Sequence, residues 1–293
     1  MRFAVLSSPD SWYTRDLQRA AAASGDTVTP LPFSRVHSSI VSTTQSPRVA
    51  SVETNLAEFD AVLVRTMPPG SLEQVVFRMD ALQRLASNGV RVVNPPKAIE
   101  AAVDKYLTLT KLHEVGIETP RTEVSQSIDE AMAGFARLGS DVVLKPIFGS
   151  EGRGITRISD EAIAERTFKL LIQLGAIIYQ QEFVEHEGYD IRVFVLGDEM
   201  FGMRRRSKAD WRTNVSRGAK TEPLPDMNDR LRSLARRATV AVGAEISGVD
   251  LLPAKDGRLL AIEVNAVPGW RALSRTLETD TAAQILSYLR QNN

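Results

Sequence analysis

A chain of 293 residues is long enough for two or three domains and a sizeable core. Lysine plus arginine and aspartate plus glutamate stand at 36 each, so charge balance gives no reason to expect nucleic acid or an anionic membrane as a partner. With no cysteine, disulfides and thiol chemistry are excluded, and the three scattered histidines, His37, His113 and His186, suggest no zinc site.

Residues 2–7 read as a short apolar strand, and the Ala-rich residues 14–24 as a helix ending near Gly25. The opening apolar run is too short for a signal peptide. No later run approaches the ~18 residues that a membrane helix needs. A cytoplasmic protein is therefore expected. The Ser/Thr-rich stretch 34–55 reads as a loop or poorly ordered excursion. Residues 60–66, Asp-Ala-Val-Leu-Val-Arg-Thr, form a second buried strand, followed after Pro68-Pro69-Gly70 by a helix over about 71–87. Residues 90–94 are a third strand, stopped by Pro95-Pro96. Such alternation describes a small parallel α/β domain over residues 1–96, with its ligand surface at the carboxyl ends of the strands. Arg65 and Thr66 sit at such an end, and Arg65 reads equally as a ligand contact or a surface ion pair.

Residues 97–114 are helical and carry Asp104-Lys105; Pro120 opens an extended segment, and a helix follows over about 128–138. A strand then delivers Lys145 into Lys145-Pro-Ile-Phe-Gly149-Ser150-Glu-Gly152-Arg-Gly154-Ile. Glycines at this density let backbone amides converge on an anion, and the lysine adds a point charge for phosphate. The spacing is not that of a Walker A loop. Taken alone, a flexible hairpin explains it as well. A helix over about 160–174 leads to a buried strand ending at Gln181-Glu182-Phe183-Val184, whose backbone could meet a planar base; Glu182 alone could be an ordinary strand-end acid. Residues 190–204 form a hairpin turned at Gly197-Asp198. Arg204-Arg205-Arg206, Lys208, Arg212 and Arg217 then surround Asn214. Any one of these is adequately explained as a solvated side chain, whereas the cluster suits phosphate or carboxylate. Helices over about 226–243 and 279–291 flank a last hairpin.

That hairpin places two acids face to face. Asp256-Gly257 between apolar runs signals a type I′ turn, which pairs Lys255 with Arg258. Counting back puts Asp250 opposite Glu263, with Asn265 two residues on and on the same face. Facing carboxylates repel unless a cation lies between them, and oxygen ligands of this kind suit Mg²⁺. A solvated hairpin with scattered acids is the alternative, but Leu251, Leu252, Leu260 and Ile262 make the sheet largely buried.

Over roughly residues 90–272 these segments, in this order, resemble the ATP-grasp superfamily, most closely its RimK-like branch of amino-acid (alpha-L-glutamate) ligases. The resemblance rests on the Lys145 to Ile155 loop, Gln181-Glu182-Phe183-Val184 with Asp190-Ile-Arg192, Trp211-Arg-Thr-Asn214-Val-Ser-Arg217-Gly218, Gly248-Val-Asp250, and Glu263-Val-Asn265-Ala-Val-Pro-Gly269. It implies an ATP-grasp fold of mixed α/β and α+β class: a parallel α/β domain over 1–96, a central α+β lobe over 97–185 and a C-terminal α+β lobe over 186–293, with ATP between the two lobes. By the same resemblance Lys105 and Lys145 would contact ATP phosphates, covered by Gly149, Ser150, Gly152 and Gly154. Gln181 to Val184 would bind adenine, with Glu182 or Asp190 near the ribose. Asp250, Glu263 and Asn265 would hold Mg²⁺, or Mn²⁺ in its place. Arg192, Asn214, Arg217 and one arginine of 204–206, with Arg204 and Arg206 the candidates, would meet the γ-phosphate and an acyl phosphate. Which of Arg204, Arg205 and Arg206 points inward stays open, because the stretch 200–214 is shorter than in relatives. Gly218-Ala219 also stands where the branch has Gly-Gly. Trp270-Arg271 would face the substrate region.

The implied chemistry is activation of a carboxylate by ATP, then attack by an amine to give an amide. Such chemistry needs alignment and charge neutralisation rather than a protein nucleophile. The implied partners are an amino acid, foremost glutamate, and a small-molecule or peptide carboxylate. A homo-oligomer is compatible with the family. The alternatives are a ligase of the lysine-biosynthesis or glutathione-synthetase type, or a nucleotide-binding regulatory module without catalysis.

Overall fold

The computed structural model describes residues 1–149, 153–224 and 226–291. At the N-terminal end, Arg2–Leu6 lies between Thr27–Leu31 and Ala61–Val64, and Arg91–Val93 flanks the latter; all four strands are parallel. Alternation sends Phe3 and Val5 to one face, against Leu17 and Ala21 of the helix Trp12–Ser24. Ala4 and Leu6 go to the other, against Met79, Leu82 and Leu85 of the helix Leu72–Ser87. Two covered faces explain why these strands read as continuous apolar runs. Thr27–Leu31 was not marked by the sequence pattern. It contains Pro30, which is tolerated there because the strand is an edge.

The Ser/Thr-rich stretch is ordered, contrary to expectation. Val36–Ser39, Arg48–Ser51 and Thr54–Asn55 form a three-stranded antiparallel sheet. Phe33, Val36, Val49 and Leu56 join the core around Met79, Ala50 and Ser51 are also buried, and most other positions face solvent. One buried face suffices for β structure, and the solvated face supplies the polar composition.

The central sheet is antiparallel, in the order Thr156–Ile158, Val142–Lys145, Ile178–Glu182, Thr122–Ser125. Val142, Leu144 and Ile178 pack beneath Ile128–Arg137 and Glu161–Gln173, where the rings of Phe135 and Phe168 meet edge to face at 6.4 Å. Val143, Lys145 and Gln181 face the other way. The C-terminal sheet runs Lys220–Pro223, Glu199–Arg206, Tyr189–Leu196, Ile246–Pro253, Leu259–Asn265. The helix Asp229–Val242 covers one of its faces.

Residues 97–114 are two helices, Pro96–Val103 and Lys105–Glu114. Asp104 leaves the helix between them and caps the second, accepting from the amides of Tyr106 and Leu107 at 2.8 and 3.0 Å. Ala101, Leu112 and Ile117 are buried with Val193, Val249 and Leu231. A segment assigned from sequence to the central lobe is therefore built into the core of the C-terminal one. Helices Arg271–Leu277 and Thr281–Gln291 return to the first sheet, where Leu273, Ile285 and Leu289 pack with Phe3, Val5 and Leu17.

The last hairpin brings Asp250 opposite Glu263 and Gly248 opposite Asn265, but not through the expected turn. The amide of Ala254 donates to Arg258 at 2.9 Å, so the loop has three residues, Lys255-Asp256-Gly257. Gly257 has φ 88° while Asp256 keeps a negative φ, which rules out type I′. Pairing near the loop is thus offset by one, with Leu251 opposite Ala261. A bulge between Asp250 and Leu251 leaves Ile262 unpaired and restores the offset.

Asn94, 2% exposed at the end of Arg91–Val93, ties this hairpin to the N-terminal sheet. Its Oδ1 accepts from the amides of Glu245 (2.7 Å) and Ile246 (2.9 Å), and its Nδ2 donates to the carbonyls of Ile246 (2.7 Å) and Ala266 (2.6 Å). Both ends of the hairpin are held by one side chain. Asn94→Ala leaves these buried backbone groups unpaired and is expected to cost about 3 kcal/mol or more, read as a lowered denaturation midpoint at unchanged slope.

Candidate active site

An open cleft separates the central and C-terminal sheets. Its walls include Lys105, Lys145, Gln181, Glu182, Phe183, Val184, Asp190, Asn214, Asp250 and Glu263, so most residues singled out from sequence converge here. The end nearest the hairpin loop is apolar, lined by Val143, Val184, Leu252 and Ile262. Phe183 closes it with Trp211, edge to face at 5.7 Å, and Arg157 lies over the Phe183 ring.

The opposite part of the floor is a chain of buried charges. Arg192 forks Asp250, with Nε–Oδ1 2.6 Å and Nη2–Oδ2 2.7 Å. Arg205, 2% exposed, donates from Nη2 to the same Oδ2 at 2.8 Å. It also forks Asp190, at 2.7 and 2.5 Å, and Thr213 Oγ1 donates to that carboxylate at 2.5 Å. Two acids and two arginines alternate, so each buried charge has an opposite neighbour. Burial disfavours the Arg205 charge, but Asp250 and Asp190 more than offset it and hold its pKa above the ordinary arginine value. Burial would raise Asp250, yet Arg192 and Arg205 keep it below its usual range. Asp190, where burial outweighs Arg205, lies above it.

The inward member of the triplet is therefore Arg205. Arg204 and Arg206 occupy the other face of their strand, stacked over Tyr189 at 5.4 and 4.7 Å, with Arg206 3.5 Å from Glu222. The cause is strand alternation. The two-residue turn at Gly197-Asp198 pairs Leu196 with Glu199 and hence Asp190 with Arg205, a count available from sequence. Thr213 was also missed, and no sequence signal marks it. Arg217 sits exposed on the turn Val215–Arg217. Gly218 adopts φ 89° there while the buried Ala219 does not need a left-handed backbone, which explains why alanine is accepted as the second residue.

Glu263 differs from Asp250. Among the described residues it makes no hydrogen bond or ion pair, and burial together with the Asp250 charge lifts its pKa against the pull of Arg192, Lys105 and Lys145. Asp250 accepts three N–H bonds, two of them on Oδ2, which leaves a lone pair on Oδ1. Asn265 Oδ1 accepts from the amide of Val267 at 2.8 Å and keeps its second lone pair. A carboxylate without a partner among the described residues, opposite Asp250 and two residues before Asn265 on its strand, fits a hard divalent cation.

Lys145 donates to Gln181 Oε1. Burial, reinforced by the nearby Lys105 charge, pushes its pKa down to about 8 although Glu263 and Asp250 oppose the shift. Lys105, also lowered by burial, donates to the carbonyls of Gly149 (2.9 Å) and Ile147 (3.4 Å) and so anchors the start of the glycine loop. Gly149 and Gly154 have φ of 145° and 71°, conformations that favour glycine; Ser150 and Gly152 lie outside the described residues. Both carboxylates expected near a ribose are engaged. Asp190 belongs to the charge chain, and Glu182 accepts from Arg121 Nε (2.6 Å) and Arg258 Nη1 (3.2 Å).

Two family models divide the chain, the RimK PreATP-grasp domain over residues 1–99 and the RimK-like ATP-grasp domain over 102–289. A tetrahydromethanopterin:alpha-L-glutamate ligase of Methanocaldococcus jannaschii is 35% identical over 243 residues, covering 80% of this chain and 81% of its own. A probable alpha-L-glutamate ligase of Thioalkalivibrio sulfidiphilus is 32% identical over 297 residues, covering 100% and 96%. The ATP-grasp ligase PsnB, solved with a minimal precursor, matches the fold with a TM-score of 0.76 at 21% identity over 99% of each chain. The matching of both domain models, in this order over nearly all of the sequence, places the chain in the RimK-like ATP-grasp family of ligases.

Proposed function

We propose that this ligase joins L-glutamate, or a closely related amino acid, to the carboxylate of a small-molecule or peptide acceptor, consuming ATP. The observation that carries the reading is the unpaired Glu263 set between two walls of cations, Lys105 and Lys145 on one side and the arginines bound to Asp250 on the other. The named relatives supply the preference for glutamate.

In this reading the acceptor carboxylate attacks the γ-phosphorus, ADP leaves, and the amine then displaces phosphate from the acyl phosphate. Lys105 and Lys145 neutralise phosphate oxygens as charge shifts between them. Gln181 to Val184 and Leu252 receive the base. Glu263, Asp250 and Asn265 hold Mg²⁺, or Mn²⁺ in its place, which when bound neutralises and orients the phosphates. Arg192 and Arg205 fix the Asp250 carboxylate so that its remaining lone pair keeps its direction. Asn214 lines the cleft and is proposed to meet the transferred phosphoryl group. Arg217, on the exposed turn Val215–Arg217, is not among the residues that line the cleft. Among the described residues no helix is long and apolar enough to cross a membrane, and a cytoplasmic ligase is proposed.

Incubation with ATP, Mg²⁺, L-glutamate and a panel of carboxylate acceptors, read by ADP release and product mass, tests the assignment. Glu263→Ala is expected to lower turnover about 100-fold or more with little change in melting temperature; near wild-type turnover would sink the metal assignment. Lys145 gives a pH signature. A lysine near pKa 8 is mostly charged at pH 7 and mostly neutral at pH 9. Only the charged form attracts phosphate, so affinity for a non-hydrolysable ATP analogue should fall about tenfold from pH 7 to 9. In Lys145→Met, binding should be weaker and that slope absent; a wild-type slope in the variant would refute the assignment.

A further inference from the structure

Arg65 follows the strand Ala61–Val64 at the carboxyl edge of the N-terminal sheet, where its amide donates to Leu6 at 3.0 Å. It is only 9% exposed, its Nε is buried without a partner, and no carboxylate or carbonyl among the described residues accepts from its guanidinium. The side chain lies over the ring of Trp270 at 4.4 Å and near that of Tyr13 at 5.2 Å. Aromatic faces offset part of the desolvation but accept none of the five N–H bonds. Asp16, the acid beside this cradle, is engaged with Trp270 Nε1 (2.8 Å) and Arg19. Burial pushes the Arg65 pKa down to about 10. Among the described residues Arg65 makes no ion pair, unlike the surface pair considered from sequence.

Trp270 is completely buried, not open to a substrate region, and it carries Arg65 to the end of the metal hairpin. It lies five residues beyond Asn265. Pro268, two residues before it, sits against Gly248, where an added Cβ would be 3.1 Å from Pro268 and 3.7 Å from Arg192 Nε. Gly269 packs against the Tyr13 hydroxyl. Arg65 thus adjoins the end of the hairpin away from Leu252 and the base pocket. The narrow pocket beside it, bordered by Asn94, Ala266 and Trp270, has room for roughly one water. A ligand group would meet Arg65 through the 9% of its surface that stays exposed.

We infer that Arg65 receives a substrate carboxylate other than the one being phosphorylated, either the α-carboxylate of the incoming amino acid or a second carboxylate of the acceptor. This rests on the ligase reading. A planar fork fits a planar carboxylate, and a buried, unpaired guanidinium held by aromatic rings is already oriented for it.

Calorimetric titration of the full chain with ADP and Mg²⁺ present tests this with three probes: L-glutamate, L-isoglutamine, which lacks the α-carboxylate, and glutarate, which has two carboxylates and no amine. Arg65→Met should weaken the responsible probe about tenfold or more, with unchanged ADP affinity. Arg65→Lys, retaining charge without the fork, should fall between and guards against a folding defect in the methionine variant. Loss of a wild-type preference for glutamate over isoglutamine assigns the α-carboxylate. Loss confined to glutarate assigns the acceptor. Equal binding by wild type and both variants, or no binding of any probe by wild type, overturns the inference. Failure of the ligase reading shows separately, as carboxylate binding intact without amino-acid-dependent ADP release.

Discussion

The site depends on the alternation Asp190–Arg205–Asp250–Arg192. Three buried charges and the partly buried Arg192 share one sheet face, and each survives there because its neighbours carry the opposite sign. Asp190, Arg192, Arg205 and Asp250 come from three adjacent strands, so the chain of forks also locks their register. Its most important product is indirect. Because Asp250 is satisfied, the unmet demand for positive charge in the described floor falls on Glu263, which faces the lysines across the cleft.

Much of this was legible in the sequence, and the reasons differ from place to place. Glycine loop, strand ends and hairpins are local patterns, and their order along the chain is specific even where each is ambiguous. The facing of Asp250 and Glu263 was read correctly from a wrong turn. The loop is one residue longer than a type I′ connection, and the Ile262 bulge supplies the compensating residue. A bulge depends on packing that no hairpin pattern encodes. The choice among Arg204, Arg205 and Arg206 was within reach, since the count that placed one pair of acids places Arg205 beside Asp190.

What escaped the sequence is chiefly pairing over long separations. Glu182 looks available on its strand but meets Arg121 and Arg258, 61 and 76 residues away. Residues 34–55 look unstructured because most of their side chains are solvated; the few buried ones, Val36 and Val49 among them, find their core on a helix that begins at Leu72. Asn94 reads as a residue before two prolines, and only the fold shows that it holds both ends of a hairpin more than 150 residues downstream. Such groups cannot be assigned until the partner's position is known.

The state of the cleft follows from the same electrostatics. Burial makes Lys145 easier to discharge and Glu263 harder to ionise, so the ligand-free site is held away from full charge separation. A polyanion entering between the lysines restores the charge on Lys145, and a divalent cation at Glu263 favours that carboxylate's ionised form. Each also reduces the other's electrostatic cost, since the two would lie against each other in the cleft. In the proposed function, nucleotide and metal therefore bind with positive coupling, which thermodynamics requires to be reciprocal. The arginines contribute little to that change: their charges are already committed to Asp190 and Asp250, which leaves geometry as their part in the site.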